Sequence, residues 1–310
     1  MTGRYSVSVV IPTYNMAWCI ERAIKSCQIQ SAPVNEIIIV DDCSNDKTQA
    51  IVEKANIQDP RIRYFRKATN EGHLYALAFG IQRSTADWVA LLDADDELTP
   101  ISIASRVEAA TRYEFESGTL PQLVYGDHIQ QPSGLTTQFW RLRGYAYPFV
   151  CKELCLCQTS TIMLGKKALP LFPVADGWTT DDYIVLAISK QYPILHCDAT
   201  VAIYHSHNSE TRMSNSAKKR FLGVLKLVRD NRRDVLRVHG IHRLLLWYLR
   251  VLRSYCDYRL STIDEFLNYP KTTLLSTFAK LPIRASRRAL LLVRELINRY
   301  LLDKFDLHYF

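Results

Sequence analysis

No uninterrupted apolar run in this 310-residue chain approaches the length of about eighteen residues that a membrane-crossing helix needs. The opening "MTGRYSVSVVIPTYN" enters a strand pattern almost at once, without a charged-then-apolar leader and small-residue cleavage site, so a cytosolic location is expected. Paired C-x2-C units are also missing. The eight cysteines are scattered and favour reduced thiols over a disulfide framework. Cys151, Cys155 and Cys157, with distant Cys197, follow C-x3-C-x-C spacing, which reads as buried thiols before it reads as zinc. Neither G-x-G-x-x-G nor G-x4-G-K-[ST] occurs, which removes the usual phosphate cradles of dinucleotide and P-loop enzymes. A nucleotide bound here would need another hold on its phosphates, and a metal ion is the simplest.

What is present is the composition of an ordered globular protein, 48% hydrophobic and 23% charged. The first part alternates short apolar runs with helical spacing. "SVSVVIPTY", "VNEIIIVDD", "IRYFRK" and "DWVALLD" read as strands, while "AWCIERAIKSCQIQ", "KTQAIVEKAN" and "GHLYALAFGIQRS" read as helices. Units of this length predict an α/β fold, a mostly parallel sheet with helices on both faces. Ligands of such sheets bind at the carboxyl ends of the strands.

Acidic residues recur at those ends. Asp41 and Asp42 follow "EIIIV", and in "WVALLDADDELTP" Asp93, Asp95, Asp96 and Glu97 fall within five positions after a buried run. Clustered carboxylates raise their own electrostatic energy unless a cation offsets it. A hard divalent ion takes oxygen ligands and grips phosphate oxygens as well. Capping of a helix starting near Pro100 accounts for one of these carboxylates and leaves the others without a reason.

Five stretches in order, "SVVIPTYN", "EIIIVDDCSNDKT", "NEGHLYALAFGIQRSTADWVALLDADDEL", "WTTDDY" and "AIYHSHNSETRMS", resemble the nucleotide-sugar-dependent glycosyltransferases of family 2, which have the GT-A fold. They span about residues 6 to 215. The resemblance implies an inverting transferase using Mn2+ or Mg2+. In it Pro12, Thr13 and Tyr14 line the nucleotide site, and Asp42, with Asp41 beside it, binds the base. Lys67 and Asn70 lie near the base or diphosphate. Asp93 faces the ribose or a metal-bound water, and Asp95 ligates the metal. Asp96 contacts the sugar or caps the next helix. Asp181 and Asp182 match the family's acidic pair, with Asp182 as the catalytic base, and His207 ligates metal or touches the diphosphate; helix capping is the structural alternative for the pair, Asp181 before Asp182. Arg212 adds positive charge nearby. Two departures stand out: Asp181 replaces the commoner Glu, and His205 stands where Arg is frequent.

Between "LVYGDHIQ" and "TDDY", aromatics interleaved with Arg141, Arg143 and Lys152 suit an acceptor sugar or a packed core equally. The composition then breaks near "ETRMSNSAKKR". Residues 217–310 hold 20 Lys+Arg against 8 Asp+Glu, whereas the first 216 hold 19 against 23. This predicts a catalytic domain over 1–215 and a basic helical region over 216–310. In the latter Arg243, Arg250 and Arg253 oppose an apolar face, as do Arg284, Arg287 and Arg294. Those faces fit packing, homo-oligomerisation or contact with an anionic membrane. The expected partners are a nucleotide-sugar, UDP-linked in preference, and a glycan or lipid-linked acceptor at the inner face of the cell membrane, in surface-polysaccharide synthesis such as that of O-antigen. Nucleic acid is not expected, since no recognised binding motif accompanies the basic charge. An inactive scaffold of the same fold is the alternative.

Overall fold

The apolar runs Val7–Thr13, Glu36–Asp41 and Trp88–Leu91 are strands buried on both faces, which is why they are near-continuous in hydrophobicity instead of alternating. In the computed structural model, residues 4–152, 157–173, 180–206, 221–239 and 248 are described. The chain divides into two compact units, residues 1–176 with 180–208 and residues 177–179 with 209–310. Within the second, residues 221–239 are helical, with a Lys226–Asp230 ion pair of 2.7 Å along one face. No helix among the described residues is long and apolar enough to cross a membrane.

The first unit follows the predicted alternation: β1 (Val7–Thr13), α1 (Ile20–Gln28), β2 (Glu36–Asp41), α2 (Thr48–Gln58), β3 (Ile62–Arg66), α3 (His73–Ile81) and β4 (Trp88–Leu91). Strands β3, β2, β1 and β4 lie side by side and parallel. Their residues sort by parity, as the pleat requires. Val7, Val9, Ile11, Ile37 and Ile39 join Ile20, Ala23, Ile24 and Cys27 of α1 in one core. On the opposite face Val10 and Val40 lie against α3 at Gly80. Each large aliphatic side chain so buried contributes about 1.5–3 kcal/mol. Pro12 stands past the last β1–β4 pair, Val10 with Leu91, so its missing N–H leaves no ladder bond unmade.

The second half of the sheet departs from simple alternation. After β5 (Glu97–Leu98) and α4 (Ser102–Ser117) come β6 (Leu123–Gln131), β7 (Leu135–Thr137), β8 (Arg143–Gly144), α5 (Tyr147–Lys152), β9 (Met163–Gly165), α6 (Thr180–Ser189) and β10 (Ile194–His205), with 3-10 turns at Thr159–Thr161 and Lys166–Leu171. Strand β9 inserts antiparallel between β4 and β6. Strand β10 runs parallel to β6, and the two-residue β5 pairs antiparallel to β10 at the edge. The helix expected near Pro100 starts at Ser102 and ends where Gly118 adopts a left-handed φ of 69°, a conformation glycine takes without a Cβ penalty. Its N-cap is Ile101, with no side-chain cap. The carboxylates of Asp93 to Glu97 therefore do not cap it, and the capping reading of Asp96 is corrected.

Candidate active site

The loops after β1 and β2 are laced together. Asp42 donates its N–H to the Thr13 carbonyl at 2.8 Å, Asn15 donates to Ser44 Oγ at 2.9 Å, and Asn45 donates to Asn15 Oδ1 at 2.9 Å. The adjacent acids do different things within this frame. Asp41 is fully buried and accepts from the Ser44 N–H at 2.7 Å and the Tyr64 hydroxyl at 2.6 Å, so both its oxygens hold the loop. Asp42 accepts from Lys67 Nζ at 2.8 Å and from the amides of Glu71 and Gly72 at 3.1 and 2.6 Å. A carboxylate offers about four acceptor positions, so three of them are used. Thr13 Oγ1 is buried with no hydrogen-bond partner, and Tyr14 beside it is 37% exposed. An unsatisfied hydroxyl at a strand end is a polar group that a ligand or water can complete. Asn70 is exposed on the next loop.

Beyond β4, ligand oxygens of Asp93, Asp95 and Asp96 all lie within 4.8 Å of one another, the one such group among the described residues. Three hard oxygen donors at that spacing are the chemistry a divalent ion such as Mg2+ or Mn2+ requires, so the residues fit that group. Asp96 is 1% exposed, with Oδ2 accepting from Ser160 Oγ at 2.6 Å and Oδ1 from the His205 N–H at 3.1 Å. Burial, then the charges of Asp95 and Asp93, raise its pKa well above the ordinary carboxylate value in spite of those donors. Asp93 Oδ1 meets His73 Nε2 at 2.7 Å. Burial opposes charge on His73, but Asp93, Asp181 and Asp95 outweigh it and raise the imidazole pKa. From α1, Arg22 donates to the Asp95 carbonyl at 2.6 Å and pairs with Glu97 at 3.2 Å.

Strand β9 is antiparallel to β4, so the chain enters it where β4 leaves. The turn Thr159–Thr161 therefore abuts the acidic loop, and Ser160 Oγ accepts the Asp93 N–H at 3.1 Å. Asp181 stands in the first turn of α6, and its carboxylate accepts from the Thr159 hydroxyl. Burial pushes the Asp181 pKa up to about 7; the Thr159 bond works against this, Asp93 and Asp182 add to it, and His73 opposes it. Asp182 is 9% exposed on the same turn. His205 ends β10 with Nε2 on Glu97 at 2.7 Å. His207 and Arg212 lie outside the described residues.

Of the residues singled out from sequence, Thr13, Asp42, Asp93, Asp95, Asp96 and Asp181 thus belong to one connected set of loops at the carboxyl ends of the parallel strands. His73, Ser160, Thr159 and Arg22 join that set without having been singled out. The hydroxyl-rich run before β9 was a visible signal, "CQTST", that spacing alone does not connect to residues some seventy positions earlier.

The profile of the family described as Glycosyl transferase family 2 matches residues 8–169. "Succinoglycan biosynthesis protein ExoO" of Rhizobium meliloti (strain 1021) is 39% identical over 104 residues, 34% of this chain and 29% of that protein. "GalNAc(5)-diNAcBac-PP-undecaprenol beta-1,3-glucosyltransferase" of Campylobacter jejuni is 34% identical over 105 residues, 34% of each chain. The matched segment thus spans about a third of the length of these curated relatives. Among solved structures, S. aureus TarS in complex with UDP-GlcNAc superposes with a TM-score of 0.61 at 16% identity, covering 95% of this chain and 91% of that one. The mannosyltransferase PcManGT from Pyrobaculum calidifontis, in complex with GDP-Man and Mn2+, gives 0.59 at 16% identity, covering 97% and 88%. At such identities the likeness is one of fold, the GT-A arrangement.

Proposed function

The chain belongs to glycosyl transferase family 2, and from that premise we propose that it moves a sugar from a nucleotide-sugar, UDP-linked in preference, to a hydroxyl of a glycan or lipid-linked acceptor in surface-polysaccharide synthesis. The observation that carries this reading is the carboxylate cluster of Asp93, Asp95 and Asp96 beyond β4, on the loops that also carry Thr13, Asp42 and Asp181. The relatives named for succinoglycan synthesis and for glucosyl transfer support the pathway class. Complexes of the structural neighbours with UDP-GlcNAc and GDP-Man support the donor class.

In this reading Pro12, Thr13 and Tyr14 line the nucleotide, and Asp42 accepts a ring N–H of the base through its remaining acceptor position. Asp95, with His207, would hold a divalent cation, and Asp93 would face the ribose or a metal-bound water. When bound, that cation offsets the charge appearing on the leaving diphosphate. Asp182 takes the proton of the acceptor hydroxyl as the oxygen attacks the anomeric carbon. The new C–O bond forms as the bond to the diphosphate breaks on the opposite face, and the single displacement inverts the configuration. Residues 1–215 form the catalytic part in this reading. The basic region 216–310 brings the enzyme to an anionic membrane surface, where a lipid-linked acceptor resides.

A second assignment of the base has its own observation: Asp181 has a pKa raised to about 7. A proton acceptor works best when its pKa lies near the working pH. Comparing Asp181→Asn with Asp182→Asn separates the two assignments.

The experiment is thermal shift with UDP-, GDP- and dTDP-sugars, with and without Mn2+, on wild type and Asp95→Ala. The expected result is stabilisation by one nucleotide class that needs both Mn2+ and Asp95. Absence of a metal-dependent shift with every nucleotide would remove the enzymatic reading and favour the scaffold.

A further inference from the structure

The turn that precedes β9 bonds to the acidic loop on one side and to α6 on the other. Ser160 is fully buried, and its single hydroxyl serves both ends of the loop: it accepts from the Asp93 N–H at 3.1 Å and donates to Asp96 Oδ2 at 2.6 Å. Thr159, 4% exposed, donates to Asp181 Oδ1. Two adjacent hydroxyls thus tie the carboxylates after β4 to the first carboxylate of α6.

The turn is itself held from behind. Thr161 Oγ1 accepts the Gln158 N–H at 3.2 Å and donates to the Gln158 carbonyl at 2.7 Å, and that carbonyl also takes the Thr161 N–H at 2.8 Å. Leu91, the last residue of β4, donates to the Ile162 carbonyl at 3.0 Å. Arg106 of α4 is fully buried and donates to the Thr161 carbonyl at 3.3 Å, and also to the Ser102 hydroxyl and carbonyl at 2.7 and 3.2 Å. Placing a guanidinium in the interior is costly unless its donors are used, and here one of them fastens this turn. A turn that served only to begin β9 has no need of hydroxyls aimed at two separate acidic groups.

We infer that Ser160 and Thr159 are positioning residues, a brace that fixes the acidic loop and the start of α6 in one register so that the donor side and the acceptor side of the transfer are held together. This rests on the transferase reading above. Ser160 sets the loop for metal and nucleoside diphosphate; Thr159 sets the α6 carboxylates for the acceptor. Groups that hold metal ligands from behind typically change metal affinity by about 10- to 100-fold when removed.

The test uses the full chain as wild type, Ser160→Ala, Thr159→Val and Thr159→Ser. Mn2+ is titrated by calorimetry in the presence of UDP, GDP or dTDP, whichever the wild type binds, and KM and kcat follow with the donor so identified. Ser160→Ala is expected to raise the Mn2+ midpoint about tenfold or more at a temperature where the metal-free variant is still folded. Thr159→Val is expected to keep the wild-type midpoint and donor KM while kcat falls, and Thr159→Ser to restore kcat because it keeps the hydroxyl. If Ser160→Ala melts below the assay temperature, Ser160→Cys, of similar volume and weaker donation, replaces it. Variants that lose only melting temperature, with midpoint and kcat unchanged, would overturn the brace and leave the transferase reading standing. A wild type that binds none of the three nucleotides with Mn2+ would overturn that reading, and the brace with it.

Discussion

Asp181 and Asp182 are neighbours in the first turn of α6, and which of them takes a proton in the proposed transfer is open to direct test. For Asp181 the folded-state pKa of about 7 lies above the ordinary 3.8. Below 3.8 the carboxyl is protonated in both folded and unfolded chains. Between 3.8 and about 7 only the folded chain keeps the proton, so unfolding releases it and stability falls as pH rises; above that the loss is complete. The metal-free wild type should therefore show a melting temperature that declines across this window. Asp181→Asn should decline less, and equal slopes in scanning calorimetry would refute the shift. For transfer itself, Asp182→Asn should lower kcat by about 10²- to 10⁴-fold, the usual contribution of a positioned general base. If Asp181→Asn causes the larger loss and Asp182→Asn leaves activity intact, the base is Asp181. At this scale the sequence marked acids at the strand ends and not how they differ. Asp41 and Asp42 read alike in "IVDD", yet Asp41 spends both oxygens on Ser44 and Tyr64, while Asp42 faces Lys67 and the α3 entrance.

Strands β6 and β10 show what an element contributes. Their register pairs His196 with Tyr125 and then Thr200 with Asp127, so three residues of β10 stand opposite Gly126 alone. The bulge is made with Asp198 at a φ of 53°. It folds against Gly126 so closely that a Cβ there would lie 2.5 Å from the Ala199 carbonyl oxygen and 2.8 Å from Val201 Cγ1. Gly126→Ala should consequently destabilise the fold by about 1–3 kcal/mol, the usual cost of overpacking. Chemical denaturation measures it, and an unchanged unfolding free energy would mean the bulge yields freely. The parallel strands β1 to β4 were legible because apolar runs bounded by turns are local signals. The bulge and the two-residue β5 were not, since pairing with a distant strand makes them and no local propensity marks them.

At the scale of the whole molecule the charge is divided, with 20 Lys+Arg against 8 Asp+Glu in residues 217–310. A basic residue near an anionic lipid surface contributes about 1 kcal/mol, and salt screens it over about 10 Å. The full chain should sediment with vesicles containing an anionic lipid, stay in solution with neutral ones, and be released by high salt. Replacing Arg243, Arg250 and Arg253 by Glu should weaken the binding. Equal behaviour on both vesicle types would leave packing or oligomerisation as the role of the basic faces. Arg243, Arg250 and Arg253 lie outside the described residues.

Hydrophobic periodicity by itself determined that the N-terminal half is a parallel α/β sheet, because burial on both faces demands continuous apolar strands. The acidic residues directly after those strands likewise marked the strand ends where three carboxylates come together. Only the tertiary structure decided which atoms meet there. Ser160 reaches Asp96 across 64 positions of sequence, Arg22 reaches Asp95 across 73, and His73 reaches Asp93 across 20. A hydroxyl, a guanidinium or an imidazole carries no sequence mark of its partner. The partner is set by β9 running antiparallel beside β4 and by α1 and α3 packing on the two faces of the sheet with their first turns at the acidic loop, and those placements follow from how the sheet buries its faces as a whole.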